Sequence, residues 1–192
     1  MGGMADRPAR LTSSTAAAAP TRRWTLRRFG TSLGVILLLL LVGSITGVLP
    51  LQVMRVDSGS MSPTIGVGDL LAVERGAGPV HRHDVVVASH PDTGEPLVKR
   101  AVGLGGDQVA IEDGVLVVDG EPVCEPAVDP SRQDGVWFGP VTVPPGEVFL
   151  LGDDRGGSID SRDFGTVPAD DIEGLVGFRV WPSPGALPVD SC

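Results

Sequence analysis

Residues 29–54 carry no charged side chain, and residues 35–42 within them form an unbroken apolar run. A stretch of about 20 apolar residues, each rising ~1.5 Å, matches the ~30 Å hydrocarbon core of a bilayer. The segment is therefore read as a single transmembrane helix; Gly43, Ser44 and Gly47 are tolerable inside it, and Pro50 falls near its outer end. Arg22, Arg23, Arg27 and Arg28 stand just before the span, and only Arg55 closely follows it. The positive-inside rule places the N-terminus in the cytoplasm and residues 55–192 on the outer face of the cytoplasmic membrane. A cleaved export signal would share the basic start, and TRRWTL resembles a twin-arginine signal. No A-x-A-like site follows the run, however, and the span is long enough to cross completely. A buried core helix of this length would be expected to carry polar residues.

Charge divides at the span. Residues 1–28 hold six Arg and one Asp, a balance of +5, whereas residues 55–192 hold nine Lys or Arg against 23 Asp or Glu, a balance of −14. An acidic main body excludes nucleic acid as the principal partner, because phosphate binding needs a basic face. Residues 1–21 are mostly Gly, Ala, Ser, Thr and Pro and cannot bury a core, so residues 1–28 read as a largely disordered basic tail. The expected division is 1–28 tail, 29–54 anchor and 55–192 outer domain.

The outer domain alternates short apolar runs with turn residues, at 70–73, 84–88, 97–102, 115–118, 148–151 and 175–180. Asp113-Gly114 and Asp119-Gly120 lie between such runs and are hairpin turn signals. No stretch beyond the anchor keeps a helical period for three turns. The pattern predicts an all-β domain of antiparallel sheets, as a sandwich or open barrel. Cys124 and Cys192 both fall on the oxidising side, where a bridge is permitted but its geometry cannot be read from sequence. The cluster His81-Arg82-His83-Asp84 has no further ligand at metal spacing and reads as a polar loop before a strand. His90 has no companion for a histidine-based triad.

Fourteen of the 15 basic residues are Arg, and the one lysine is Lys99, set between Val98 and Arg100 in a strand-like run. Most lysines are solvated surface residues, and an Arg-biased genome alone makes Lys scarce. Arginine, however, replaces lysine in most surface roles except those that require loss of the proton near neutral pH. A buried lysine can be neutral and act as a general base. A nucleophile for it is found in the loop 56–65, VDSGSMSPTI, where Gly59 frees the backbone beside the serines and Pro63 stiffens the exit. That loop would read as a linker, except that it runs directly into the strand-like GDLLAVER and is held at both ends. A serine hydroxyl needs a base to become nucleophilic, and lysine serves in Ser–Lys variants of the triad. The third block, LGDDRGGSIDSRDFG at 151–165, alone reads as a charged glycine-rich loop.

Taken together and in order after one span, SGSMSPT, GDLLAVE, VKRAVGLGGD and GDDRGGSIDSRDFG resemble bacterial type I signal peptidase, the leader peptidase family. The resemblance covers the span and most of residues 56–180. It implies two packed antiparallel β-sheets preceded by the single transmembrane helix. It implies Ser60 as nucleophile and Lys99 as general base, with Ser58 joining the backbone N–H of Ser60 in the oxyanion hole. Ser158 is implied to orient the lysine amine by a hydrogen bond. Asp160, Arg162 and Arg100 fall where the family has a supporting ion-pair network, with Asp160 expected to take up the charge of Arg100. The implied substrates are exported preproteins, cut after small residues, by a monomer at the lipid bilayer that needs no metal or cofactor. Three departures concern loop geometry: Asp154 where Asn is common, the Gly156-Gly157 pair, and Gly105 where Pro is common. A related Ser–Lys processing protease, for conjugation factors or repressor self-cleavage, is the nearest alternative; a membrane-tethered scaffold that merely contains SGS is the non-enzymatic one.

Overall fold

The computed structural model describes residues 34–40, 42–43, 50–76, 78–128 and 137–188. Residues 34–40 and 42–43 are helical with mostly exposed apolar side chains. No described helix is long and apolar enough to cross a membrane, and much of the expected span 29–54, like the whole of the tail 1–28, lies outside the described residues.

The remainder is all-β, as the runs of apolar residues predict. An eight-stranded antiparallel sheet has the order β1-β2-β11-β3-β4-β9-β10, with β12 paired to β11. Its strands are β1 Leu51–Arg55, β2 Leu70–Arg75, β3 Val85–Ser89, β4 Pro96–Leu104, β9 Glu147–Leu151, β10 Val167–Pro168, β11 Ile172–Trp181 and β12 Gly185–Ala186. A four-stranded sheet, β7-β6-β5-β8, is built from β5 Gln108–Glu112, β6 Val115–Val118, β7 Glu121–Pro122 and β8 Phe138–Thr142. The β5–β6 and β6–β7 hairpins turn on Asp113-Gly114 and Asp119-Gly120, and all four residues have φ between 51° and 81°. Positive φ at both central residues is what a two-residue type I′ turn requires. The sheet begins at Leu51, inside the segment expected to belong to the anchor.

The large sheet is covered on both faces where it matters for the site. In β3, Val85 and Val87 enter one core with Met61, Ile65 and Leu71, whereas Val86 and Ala88 enter another with Ala101, Val148 and Leu150. Burial on both faces explains why these strands read as continuous apolar runs rather than as alternation. Val102, Phe149 and Leu151 pack on Val109, Ile111, Leu116 and Val118 and so join the two sheets.

Candidate active site

The loop carrying Ser58 and Ser60 is pinned at its edges. Val56 N–H donates to Asp69 O at 2.9 Å, and Gly68 N–H donates to Val56 O at 2.8 Å, closing the loop between β1 and β2. Met61 and Ile65 are 1% and 0% exposed in the core beneath it, and burying side chains of this size stabilises by about 1.5–3 kcal/mol each. Ser60, the residue before Met61, is thereby held half-buried at the surface. Ser58 Oγ lies 3.3 Å from Ser60 Oγ.

Lys99 stands on β4, on the face that carries Leu97 and Ala101, because successive strand residues alternate. It is 4% exposed. A cleft of about 210 Å³ is lined by Ser58, Ser60 and Lys99 together with Met54, Val56, Met61, Leu97 and Val98. The structure thus brings Ser58, Ser60 and Lys99 to one opening. Desolvation holds the Lys99 ammonium below its ordinary pKa of 10.5; the Asp160 carboxylate opposes this, and the Arg162 guanidinium adds to it.

The third block follows β9. Strand pairing sets Leu151 opposite Arg100, so the chain leaving β9 delivers Asp153 beside that guanidinium. Arg100 Nε and Nη2 donate to the two Asp153 carboxylate oxygens at 2.9 and 2.8 Å, and both side chains are fully buried. This corrects one expectation: Asp153, not Asp160, takes the charge of Arg100. Asp160 instead accepts from Arg162 Nε at 2.8 Å. It also caps the four-residue helix α1, Ser161–Phe164, by accepting from Arg162 N–H, and it accepts from Gly152 N–H at 3.0 Å. Arg100 thus braces β4 on the Val98 face, while the Asp160–Arg162 pair lies within electrostatic reach of Lys99.

The hydrogen bond from Ser158 to Lys99 that the resemblance implies is not made. The Ser158 Oγ is buried without a hydrogen-bond partner. It crowds the backbone of Gly152, where a Cβ would stand 2.2 Å from Ser158 Oγ and 2.5 Å from Ser60 O. Only glycine fits there, a requirement the sequence did not reveal. Asp154 N–H donates to Ser60 O at 3.0 Å, tying the third block directly to the loop that carries Ser58 and Ser60. Because the backbone makes this bond, the replacement of Asn by Asp at 154 leaves it intact. At Gly105 a Cβ would stand 2.9 Å from Gly146 N and 3.0 Å from Pro145 Cα, so the turn at 144–146 approaches more closely than proline at 105 would allow. The sequence reading also missed the partners Asp153 and Glu125; Glu125 pairs with Arg155 in a buried ion pair. Cys124 is disulfide-bonded, and Cys192 lies outside the described residues.

A family profile described as signal peptidase, peptidase S26, matches residues 26–181. The chain belongs to the signal peptidase family. A signal peptidase I from Bacillus caldolyticus is 42% identical over 142 residues, spanning 66% of this chain and 78% of that relative. Signal peptidase I from Streptococcus pneumoniae serotype 4 is 32% identical over 187 residues, spanning 78% of this chain and 91% of its own length. A crystal structure of signal peptidase I from Enterococcus faecalis V583 aligns with a TM-score of 0.46 at 30% identity, over 51% of this chain and 97% of that one. As a member of the signal peptidase family, the chain is a serine peptidase that removes signal peptides.

Proposed function

We propose that this signal peptidase works as a Ser60–Lys99 dyad on the outer face of the cytoplasmic membrane, with the uncharged residues 29–50, which end before β1, as its anchor. The observation that carries the dyad is that the chain's only lysine is buried in the same cleft as Ser60. Neutral Lys99 takes the hydroxyl proton as Ser60 Oγ attacks the scissile carbonyl of an exported preprotein. The tetrahedral oxyanion is held by Ser58 Oγ and the backbone N–H of Ser60, and one such donor is worth about 2.7–4 kcal/mol in the transition state. Collapse expels the mature protein's amine, which takes its proton from Lys99, and leaves the signal peptide esterified to Ser60. Lys99 then deprotonates a water that hydrolyses the ester. Asp160, Arg162 and Arg100 hold the surrounding loops.

Several features support this reading. The cleft walls Met54, Val56, Met61, Leu97 and Val98 are apolar, in keeping with the apolar residues expected before the cut. The exposed apolar residues 35–40 favour a lipid surround for the helix. The test is a preprotein with Ala at the residue before the cut and again two residues earlier. The expected product is a single mature N-terminus, absent with Ser60→Ala and abolished when those alanines become bulky. Efficient cutting after Phe or Arg would contradict the specificity.

A further inference from the structure

Beyond β7 the chain leaves the four-stranded sheet and runs across both catalytic loops. Val123 N–H donates to Leu116 O at 2.8 Å, which keeps the departure point on the sheet. Residues 125–128 then make a turn, with Val128 N–H donating to Glu125 O at 3.0 Å. Ala127 and Val128 are 7% and 4% exposed, so this segment is seated rather than loose. Its two polar contacts reach two different loops. Glu125 accepts from Arg155 Nη2 of the third block, and the two side chains are only 5% and 3% exposed. Ala127 O accepts from the Thr64 hydroxyl of the nucleophile loop at 3.4 Å. Arg155 passes the contact on, because its Nε donates to Gly152 O at 2.9 Å. Gly152 is the residue on which Ser158 Oγ and Ser60 O converge.

We infer that residues 123–128 are a strap that sets the Ser158 loop against the Ser60 loop, with Glu125 as its positioning residue and Thr64 as its second tie. This rests on the Ser60–Lys99 reading. The strap touches neither the substrate nor the reacting atoms; it acts through Arg155 and Gly152 on one side and through Thr64 on the other. Neither residues 123–128 nor residues 152–158 line the cleft that takes the substrate. Loosening the strap therefore lowers turnover and spares binding.

The full chain in detergent, with a preprotein as substrate, provides the test. Glu125→Gln leaves the Arg155 guanidinium buried without its counter-charge, and Thr64→Val removes one hydroxyl while keeping the shape. Each is expected to lower kcat, Glu125→Gln by about tenfold or more, at a KM within twofold of the parent, and Glu125→Asp should recover part of the loss. Glu125 and Thr64 act on different loops, so their effects on kcat combine non-additively only if one strap joins them. The double replacement Glu125→Met/Arg155→Met separates positioning from stability. Apolar substitutes for a buried ion pair often preserve or raise stability, so this variant is expected to stay folded by circular dichroism and still lose turnover. Near-native kcat in the folded double variant, additive effects of Thr64→Val and Glu125→Gln, or a rise in KM alone would each overturn the strap. Activity retained by Ser60→Ala would instead sink the dyad and is read separately.

Discussion

Lys99, the proposed base, stands in a place that resists its charge. Between its lowered folded pKa and the ordinary 10.5, the unfolded chain binds a proton that the folded chain has shed. Stability attributable to this residue therefore rises with pH across that window, and below the folded pKa its cost is full and constant. Lys99→Met is expected to raise the thermal midpoint at neutral pH while eliminating cleavage. The gain should shrink as the pH is raised toward 10; a gain independent of pH, or a loss at neutral pH, would mean that the lysine is not held against its charge. Activity follows the same titration. Below the lowered pKa the amine is a cation with no lone pair, so kcat/KM should climb with pH through a midpoint below 10.5. A flat profile from pH 6 to 10 would remove Lys99 from the proton transfer.

Strand β4 presents Lys99 to the cleft on one face and Arg100 to Asp153 on the other. Breaking such a buried pair from one side leaves an uncompensated charge and costs about 3–5 kcal/mol. Asp153→Asn should therefore lower the unfolding free energy by that amount in urea titrations, and Arg100→Met/Asp153→Leu by much less. Gly152→Ala should lower turnover at least tenfold, because the added methyl meets both Ser158 Oγ and Ser60 O; normal turnover would show that those loops have room to move. At this scale the sequence was informative where physics is local. Asp113-Gly114 and Asp119-Gly120 specify their turns by backbone conformation alone, and the apolar runs announce strands buried on both faces. It was silent where contacts depend on register. Arg100 finds Asp153 because Arg100 pairs across from Leu151, and nothing in the spacing of charges distinguishes Asp153 from Asp160. Gly152 and Glu125 were equally hidden, since each matters through a segment remote in sequence. Lys99 stands out because lysine occurs once, and the serine loop because it is held at both ends, whereas the separate roles of Ser60 and Ser58 rest on the family resemblance.

For the whole chain, the proposed anchor would be oriented by the Arg residues that precede it. Protease added to right-side-out vesicles should digest residues 55–192 and spare the N-terminal tail; digestion of the tail alone would invert the topology. The proposed mechanism turns on a single proton transfer, and its most direct measurement is preprotein cleavage by full-length Lys99→Arg in proteoliposomes. Arginine keeps the charge and approximate length but stays protonated. The expected result is a folded protein with no detectable processing, whereas near-native turnover would make Lys99 an ordinary structural cation and contradict the dyad.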